Sequence, residues 1–264
     1  MSIDYQKFIE NRLRIINKEG ELIPFILNQI QQKYQEKRSQ KDIILKARQQ
    51  GFSTYTLGEF TADFLLVENS YSVVIADNSD NAIGLLDRVK FFVKEYENIT
   101  GCKVPLKYNS KYELFNEAMN SRYVIGTAEN TEFGRSKTIT NLHFSEAAFY
   151  RNFRKLLASA LQALTPNGRC VIETTANGFN EFKEFWDESV KGETGFQPLF
   201  FGASGFYSPE FLAKKKGELK RLYRQEYPDS PLEAFLTSGE TYFDSEILGV
   251  MLTKIQEPIK FQFI

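Results

Sequence analysis

The stretch Lys46-Ala47-Arg48-Gln49-Gln50-Gly51-Phe52-Ser53-Thr54 holds residue types that can handle a phosphate. A phosphate cradle needs a glycine for close backbone approach, a hydroxyl for Mg2+ and a cation near the β- and γ-phosphates. Gly51 and Ser53 supply the first two, and Lys46 or Arg48 supplies the third. On the pattern Gly, four residues, Gly-Lys-Ser/Thr, Gly51 and Ser53 match. Lys46 stands where the first glycine belongs and Phe52 where the lysine belongs. Taken alone, the stretch also reads as a basic turn whose Ser or Thr caps a helix.

Downstream, Ser145-Glu146 closes the apolar run at 139–144. The usual second nucleotide motif ends a strand in an Asp for Mg2+ and a Glu for the attacking water. Here Ser145 takes the place of the Asp and Glu146 remains. A third group, Thr174-Thr175-Ala176-Asn177, follows the run RCVIET. Small hydroxyls and amides there can meet a γ-phosphate or its water, or simply terminate a strand. Arg135, beside Gly134 in the polar loop 128–137, is either a solvated charge or an arginine finger offered to a neighbour's phosphate. Gln31 is either a surface amide or a donor–acceptor pair for a purine edge.

These residues need elements to position them. Residues 43–45 read as a buried strand and 53–66 as a helix, so the basic loop leads into a helix N-terminus, whose amides and dipole attract an anion. A strand at 71–76, a turn at 77–81 and a helix at 82–97 follow. Strand–helix–strand–helix predicts a parallel α/β sheet. Runs at 112–115 and 122–125 predict an antiparallel pair. Then come a strand at 139–144, a helix at 152–164, a turn at Asn167-Gly168, a strand at 169–174, a helix at 180–190 and a strand at 197–202. In such a sheet chemistry gathers at the carboxyl ends of the strands. Residues 3–17 read as an amphipathic helix, and Pro24 and Asn28 suit the start of another running to about 37. From about 205 the pattern turns to charged helices at 209–226. The chain therefore divides into a core over 1–204 and a small helical appendage over 205–264, packing with the N-terminal helices as a lid.

Composition narrows the classes. With 33 Lys plus Arg against 34 Asp plus Glu, no global basic excess advertises nucleic-acid binding, so any such surface is a local patch. Phe is common at 24, which predicts a core rich in ring packing. Cys102 and Cys170 lack metal-ligand spacing and read as reduced thiols of an intracellular protein. The single histidine, His143, excludes multi-histidine metal sites. No apolar run reaches the roughly 18–20 residues of a membrane span.

KARQQGFST, NLHFSEAAFY and ETTANGFN, in that order, together with PFILNQIQ and YPDSPLEAFLTSGETYFD, resemble the ATPase domain of the large terminase subunit of tailed bacteriophages over about residues 22–245. The resemblance implies a P-loop NTPase of the ASCE or RecA-like kind, with a mostly parallel central sheet flanked by helices and a small helical lid. It implies ATP and Mg2+ as cofactors. Lys46 to Thr54 would hold the nucleotide, Ser53 would bind Mg2+, Ser145 would reach it through water, and Glu146 would polarise water. Gln31 would read adenine, Arg135 would act on the neighbouring subunit, and Thr174 to Asn177 would couple hydrolysis to movement. Its implied partners are double-stranded DNA, a portal protein, a small terminase subunit and copies of itself in a ring, a pentamer on the procapsid in the host cytoplasm and a monomer in isolation. The family's C-terminal nuclease domain would begin about where this chain ends, so no nuclease activity is expected and the chain reads as a truncated or partial product. A helicase-like remodeller would need a second motor domain. A decayed nucleotide site, suggested by Phe52 and Ser145, would leave a non-enzymatic scaffold.

Overall fold

The computed structural model describes residues 3–130 and 137–237, together with Met251 and Lys254. The N-terminal part comprises α1 (Tyr5–Arg12), a hairpin of β1 (Arg14–Ile16) and β2 (Leu22–Pro24), and α2 (Gln29–Lys37). The central elements are β3 (Lys41–Lys46), α3 (Phe52–Leu66), β4 (Tyr71–Ala76), α4 (Ser79–Thr100), β5 (Leu106–Asn109), β6 (Glu113–Asn116) and β7 (Ser121–Thr127). There follow β8 (Ile139–Ser145), α5 (Phe153–Ala163), β9 (Leu164–Thr174), α6 (Glu181–Val190) and β10 (Gln197–Phe201). The described part ends with α7 (Pro209–Leu219), α8 (Tyr223–Glu226) and α9 (Pro231–Thr237).

Eight strands form one sheet in the order β10-β3-β9-β8-β4-β7-β6-β5. From β10 to β7 all neighbours are parallel, and β6 and β5 extend that edge antiparallel. The expected antiparallel pair is therefore present, lengthened by one strand. β3 is buried nearly throughout, as a strand covered on both faces must be. Its alternation splits the core. Ile44 faces a cluster with Phe60, Phe64, Leu86 and Phe92 from α3 and α4. Ile43 and Leu45 face the opposite cluster, with Phe153, Leu156, Phe182 and Trp186 from α5 and α6. Helix, sheet and helix layers thus enclose the strands, and every parallel strand ends at the same edge.

Three local expectations change. The helix foreseen over 3–17 stops at Arg12, because the chain turns back through Gly20 (φ +83°) and pairs Ile15 with Ile23. Asn17 Oδ1 accepts from the amides of Glu19 and Glu21 and fixes that turn. Asn167-Gly168 is not a free turn: it lies within β9, where the pairing with β8 jumps from Ile139↔Leu164 to Asn141↔Arg169 and the surplus residues form a bulge. The helix foreseen at 82–97 runs from Ser79 to Thr100, because Asn78 caps it by accepting from the Asn81 amide, inside the expected turn. At the other end, Tyr207, Phe211 of α7, Tyr223 of α8 and Tyr227 pack in one cluster with Ala47 in the loop after β3. Ala234 and Phe235 of α9 join the α5–α6 core.

Candidate nucleotide site

β3, β9 and β8 lie side by side, and their carboxyl ends bring the sequence-predicted residues together. The register pairs Leu45 with Thr174 and Ser145 with Glu173, so Lys46, Thr175 and Glu146 each stand one step past a paired position. Lys46 is only 4% exposed. Its Nζ lies 3.1 Å from Glu146 Oε1 and 3.2 Å from Glu173 Oε2. Burial opposes the Lys46 charge, but the Glu173 and Glu146 carboxylates outweigh it and hold the ammonium above the ordinary lysine range.

Glu146 has a left-handed backbone, φ 58° and ψ 46°, which ends β8 sharply. For a non-glycine residue this costs on the order of 1–3 kcal/mol, a strain that persists where surrounding contacts enforce it. Its side chain is 36% exposed, the open member of the cluster. Glu146 Oε2 accepts from the Thr175 amide at 3.3 Å and lies 3.4 Å from the Thr174 hydroxyl. Thr174 Oγ1 also accepts from the Ala148 amide, and Asn177 donates to the Ala148 carbonyl. Ala176 is buried behind them. The third stretch therefore contacts Glu146 and the turn that follows it.

The loop between β3 and α3 is held open-ended toward this cluster. Gln49 (φ 59°) and Gly51 (φ +84°) are both left-handed, and no side chain caps the first turn of α3. Its leading amides are thus available to an anion. The positive φ favours glycine at 51, and a Cβ there would come within 2.7 Å of Gln31 Nε2 and displace that amide. Asn28 caps α2, and its amide donates to the Gln50 carbonyl. Gln50 donates to the Gly202 carbonyl. Tyr207 donates to the Arg48 carbonyl, and the Arg48 amide donates to Glu226.

The side chains of four expected nucleotide residues are engaged elsewhere. Gln31 has both amide atoms engaged, Oε1 accepting from the Asn28 amide at 3.0 Å and Nε2 donating to the Gly51 carbonyl at 2.8 Å. It is buried and braces the loop, rather than facing a purine. The Arg48 guanidinium turns outward to Glu226 at 2.8 Å, whereas the Lys46 ammonium lies within the cluster. Phe52 is a core side chain, packed on Phe201 at 4.8 Å and edge-on to Tyr34 at 5.5 Å. Such pairs contribute about 0.5–1.5 kcal/mol each beyond burial. An aromatic at the expected lysine position is therefore explained by packing. Thr54 accepts from Arg88 at 3.1 Å and lies off the cluster. Arg135 lies outside the described residues.

Glu173 is the functional candidate the sequence reading passed over. It is fully buried on β9. Its Oε1 accepts from the Ser53 hydroxyl at 2.7 Å and the Ser145 hydroxyl at 2.9 Å, with His143 Nε2 at 3.3 Å. The available signal was a carboxylate inside an otherwise apolar strand that ends at the working edge. Burial disfavours its ionised form, yet Lys46, then His143 and Ser53, hold its carboxyl below the usual carboxylate range.

An open cleft of about 330 Å³ borders the cluster, lined among others by Ser53, Ser145, Glu146, Asp77 and Arg88. Among the described residues no group of three or more His, Cys, Asp or Glu is arranged to hold a metal. A hard divalent ion is often completed by substrate phosphates and water with one or two carboxylates. The Ser53 and Ser145 hydroxyls, both donating to Glu173 Oε1 while Oε2 pairs with Lys46, present their lone pairs for that role.

No protein-family model matches the chain. Solved structures do. The ATPase domain of the Thermus phage P74-26 large terminase aligns with a TM-score of 0.58 at 17% identity, over 76% of this chain and 92% of that one. The HK97 bacteriophage large terminase aligns with a TM-score of 0.65 at 17% identity, over 88% of this chain and 55% of that one. The large terminase of a thermophilic bacteriophage, in complex with ATP-gamma-S, aligns with a TM-score of 0.55 at 12% identity, over 76% and 51%. The fold is that of a phage large-terminase ATPase domain. The chain spans about half the length of the HK97 terminase and of the thermophilic-phage terminase it matches. Among the described residues no helix is long and apolar enough to cross a membrane.

Proposed function

We propose that this chain hydrolyses ATP with Mg2+ and is the motor domain of a phage large terminase, driving double-stranded DNA into a procapsid. The observation that carries the reading is Lys46 Nζ at 3.1 Å from Glu146 Oε1, at the mouth of a loop whose helix start has no side-chain cap. A cation and a carboxylate facing each other beside free amides suit a terminal phosphate and the water that attacks it. Complexes of the thermophilic-phage terminase with ATP-gamma-S and with ADP add support from the same fold.

In this reading the amides at Gly51 to Thr54 and the Lys46 ammonium bind the β- and γ-phosphates. Ser53 would hold Mg2+, with Ser145 contributing through water, and the ion would neutralise charge on the phosphate oxygens. Glu146 is the general base: its partly exposed carboxylate orients a water and takes its proton as the oxygen attacks the γ-phosphorus and the bond to the bridging oxygen breaks, that oxygen leaving with ADP. Withdrawal of Lys46 from Glu146 toward the incoming phosphate frees that carboxylate for the water. Thr174 and Thr175, touching Glu146 from β9, and Asn177, through Ala148, relay the loss of the γ-phosphate to the chain beyond. Gln31, Gln49 and Gln50 shape the loop. Portal protein, small terminase subunit and a homo-oligomeric ring, a pentamer at the procapsid portal in the host cytoplasm, follow from the same reading, with Arg135 reaching the adjacent subunit's phosphate.

Phosphate release by wild type and Glu146→Ala, with DNA and Mg2+ present, tests the enzymatic step. Equal release would leave a non-enzymatic scaffold. Mixing Arg135→Ala with Glu146→Ala subunits tests the ring: partial recovery of turnover is expected, and none would count against action between subunits.

A further inference from the structure

We propose that Glu173 is the positioning carboxylate for the nucleotide's divalent cation, acting from β9 through the Ser53 hydroxyl in place of the acid that position 145 lacks on β8. This rests on the ATPase reading above and adds a residue to it.

Ser145 and Glu173 are register partners on adjacent parallel strands. A carboxylate absent from one strand is thus present at the same level on the next, a lateral displacement of one strand. The Ser53 hydroxyl donates to Glu173 at 2.7 Å. A hydroxyl has one proton and two lone pairs. With its proton spent inward on Glu173, Ser53 Oγ offers only lone pairs to the cleft, which is what a hard cation requires. The Ser145 hydroxyl is fixed the same way at 2.9 Å. Partners that orient metal ligands in this manner raise the ligand's basicity and hold its geometry.

Charge points the same way. Beside the cleft the Lys46 ammonium faces two carboxylates, the partly exposed Glu146 and the buried Glu173. Among these three groups one negative charge is left over, with Asp77 and Arg88 on the cleft wall offsetting one another, which favours a cation arriving with the nucleotide. Glu173 Oε2 accepts no hydrogen bond and has only the Lys46 charge at 3.2 Å. A carboxylate kept merely to neutralise Lys46 would not need two serine hydroxyls on its other oxygen.

Calorimetric titration of the full chain with a non-hydrolysable ATP analogue, in Mg2+ and in EDTA, tests this without turnover. In wild type Mg2+ strengthens binding. In Glu173→Gln the strengthening by Mg2+ falls about 10- to 100-fold. Affinity in EDTA is kept or improved, since Lys46 loses a competitor for the phosphates. Ser145→Asp added to Glu173→Gln returns the acid to β8 and restores the Mg2+ effect. A purely structural Glu173 would weaken binding equally with and without the ion, and that result, or an undiminished Mg2+ effect in Glu173→Gln, overturns the proposal. Should Glu173→Gln fail to fold by circular dichroism, the double variant, which restores a second carboxylate near Lys46 beside Glu146, carries the test alone: a folded double variant indifferent to Mg2+ overturns it. Wild type that binds no nucleotide at all removes the ATPase reading itself, an outcome visible before any variant is made.

Discussion

The two ends of the central strands both bury carboxylates, and they treat them oppositely. At the amino end, Asp42 accepts from the Ser39 amide and hydroxyl on one oxygen and from Tyr34 on the other. Glu59 of α3 accepts from Tyr55 on one oxygen, which also pairs with Arg38, and from Arg169 at 2.6 Å on the other. Every carboxylate oxygen there is engaged. At the carboxyl end, Glu173 Oε2 and His143 Nδ1 are buried without a hydrogen bond, and Glu146 is both left-handed and partly exposed. What separates the ends is solvent access: the amino-end carboxylates are enclosed with their partners, whereas Glu146, on a left-handed backbone, faces the cleft.

The comparison breaks first at Glu146. Glu146→Ala is expected to lower phosphate release by about 10²–10⁴-fold, the usual worth of a general base, while thermal melting barely moves. A large loss of stability instead would make Glu146 a structural residue. Arg169→Met at the amino end is expected to do the reverse. It should cost about 3 kcal/mol in urea unfolding, the low end for a broken enclosed pair because Arg38 still faces Glu59, and leave nucleotide affinity of the folded chain unchanged. Gly51→Ala sits between the two. Its left-handed backbone costs about 1–2 kcal/mol in stability, and displacement of Gln31 weakens nucleotide binding as well.

The smallest expected effect is a slope with pH. Glu173 is held below its ordinary value of 4.5, so its stabilising share is complete above that value and is lost as pH falls toward its folded value. Asp42 is pushed up by burial from an ordinary 3.8, so its cost is relieved as pH falls. In unfolding free energies, Glu173→Gln should flatten the fall below about pH 4.5, and Asp42→Asn should steepen the fall as pH drops toward about 3.8. The same change in both variants would erase the distinction between the two ends.

The parallel order was legible because β3, β4, β8 and β9 are apolar runs alternating with helical spacing, and local hydrophobic pattern reports a buried strand directly. Glu146 was legible because it directly follows such a run, and Lys46 because it stands at the end of another. Gln31 was not, since its role depends on where Gly51 comes in space. Arg48 and Lys46 looked equivalent along the chain, and only the segment 202–227, by taking Arg48 to Glu226, separated them. Glu173 escaped notice because its meaning lies across strands.

By itself, then, the chain's order of apolar runs and turns determined a parallel α/β core, and single residues at strand ends marked its working edge. Periodicity and capping act between near neighbours in sequence, so they can be read there. What tertiary structure alone decided was the sideways registration of β8 with β9, which sets Glu173 beside Ser145 and Ser53. Side chains 28 and 120 positions apart are joined by hydrogen bonds that exist only once the sheet has closed.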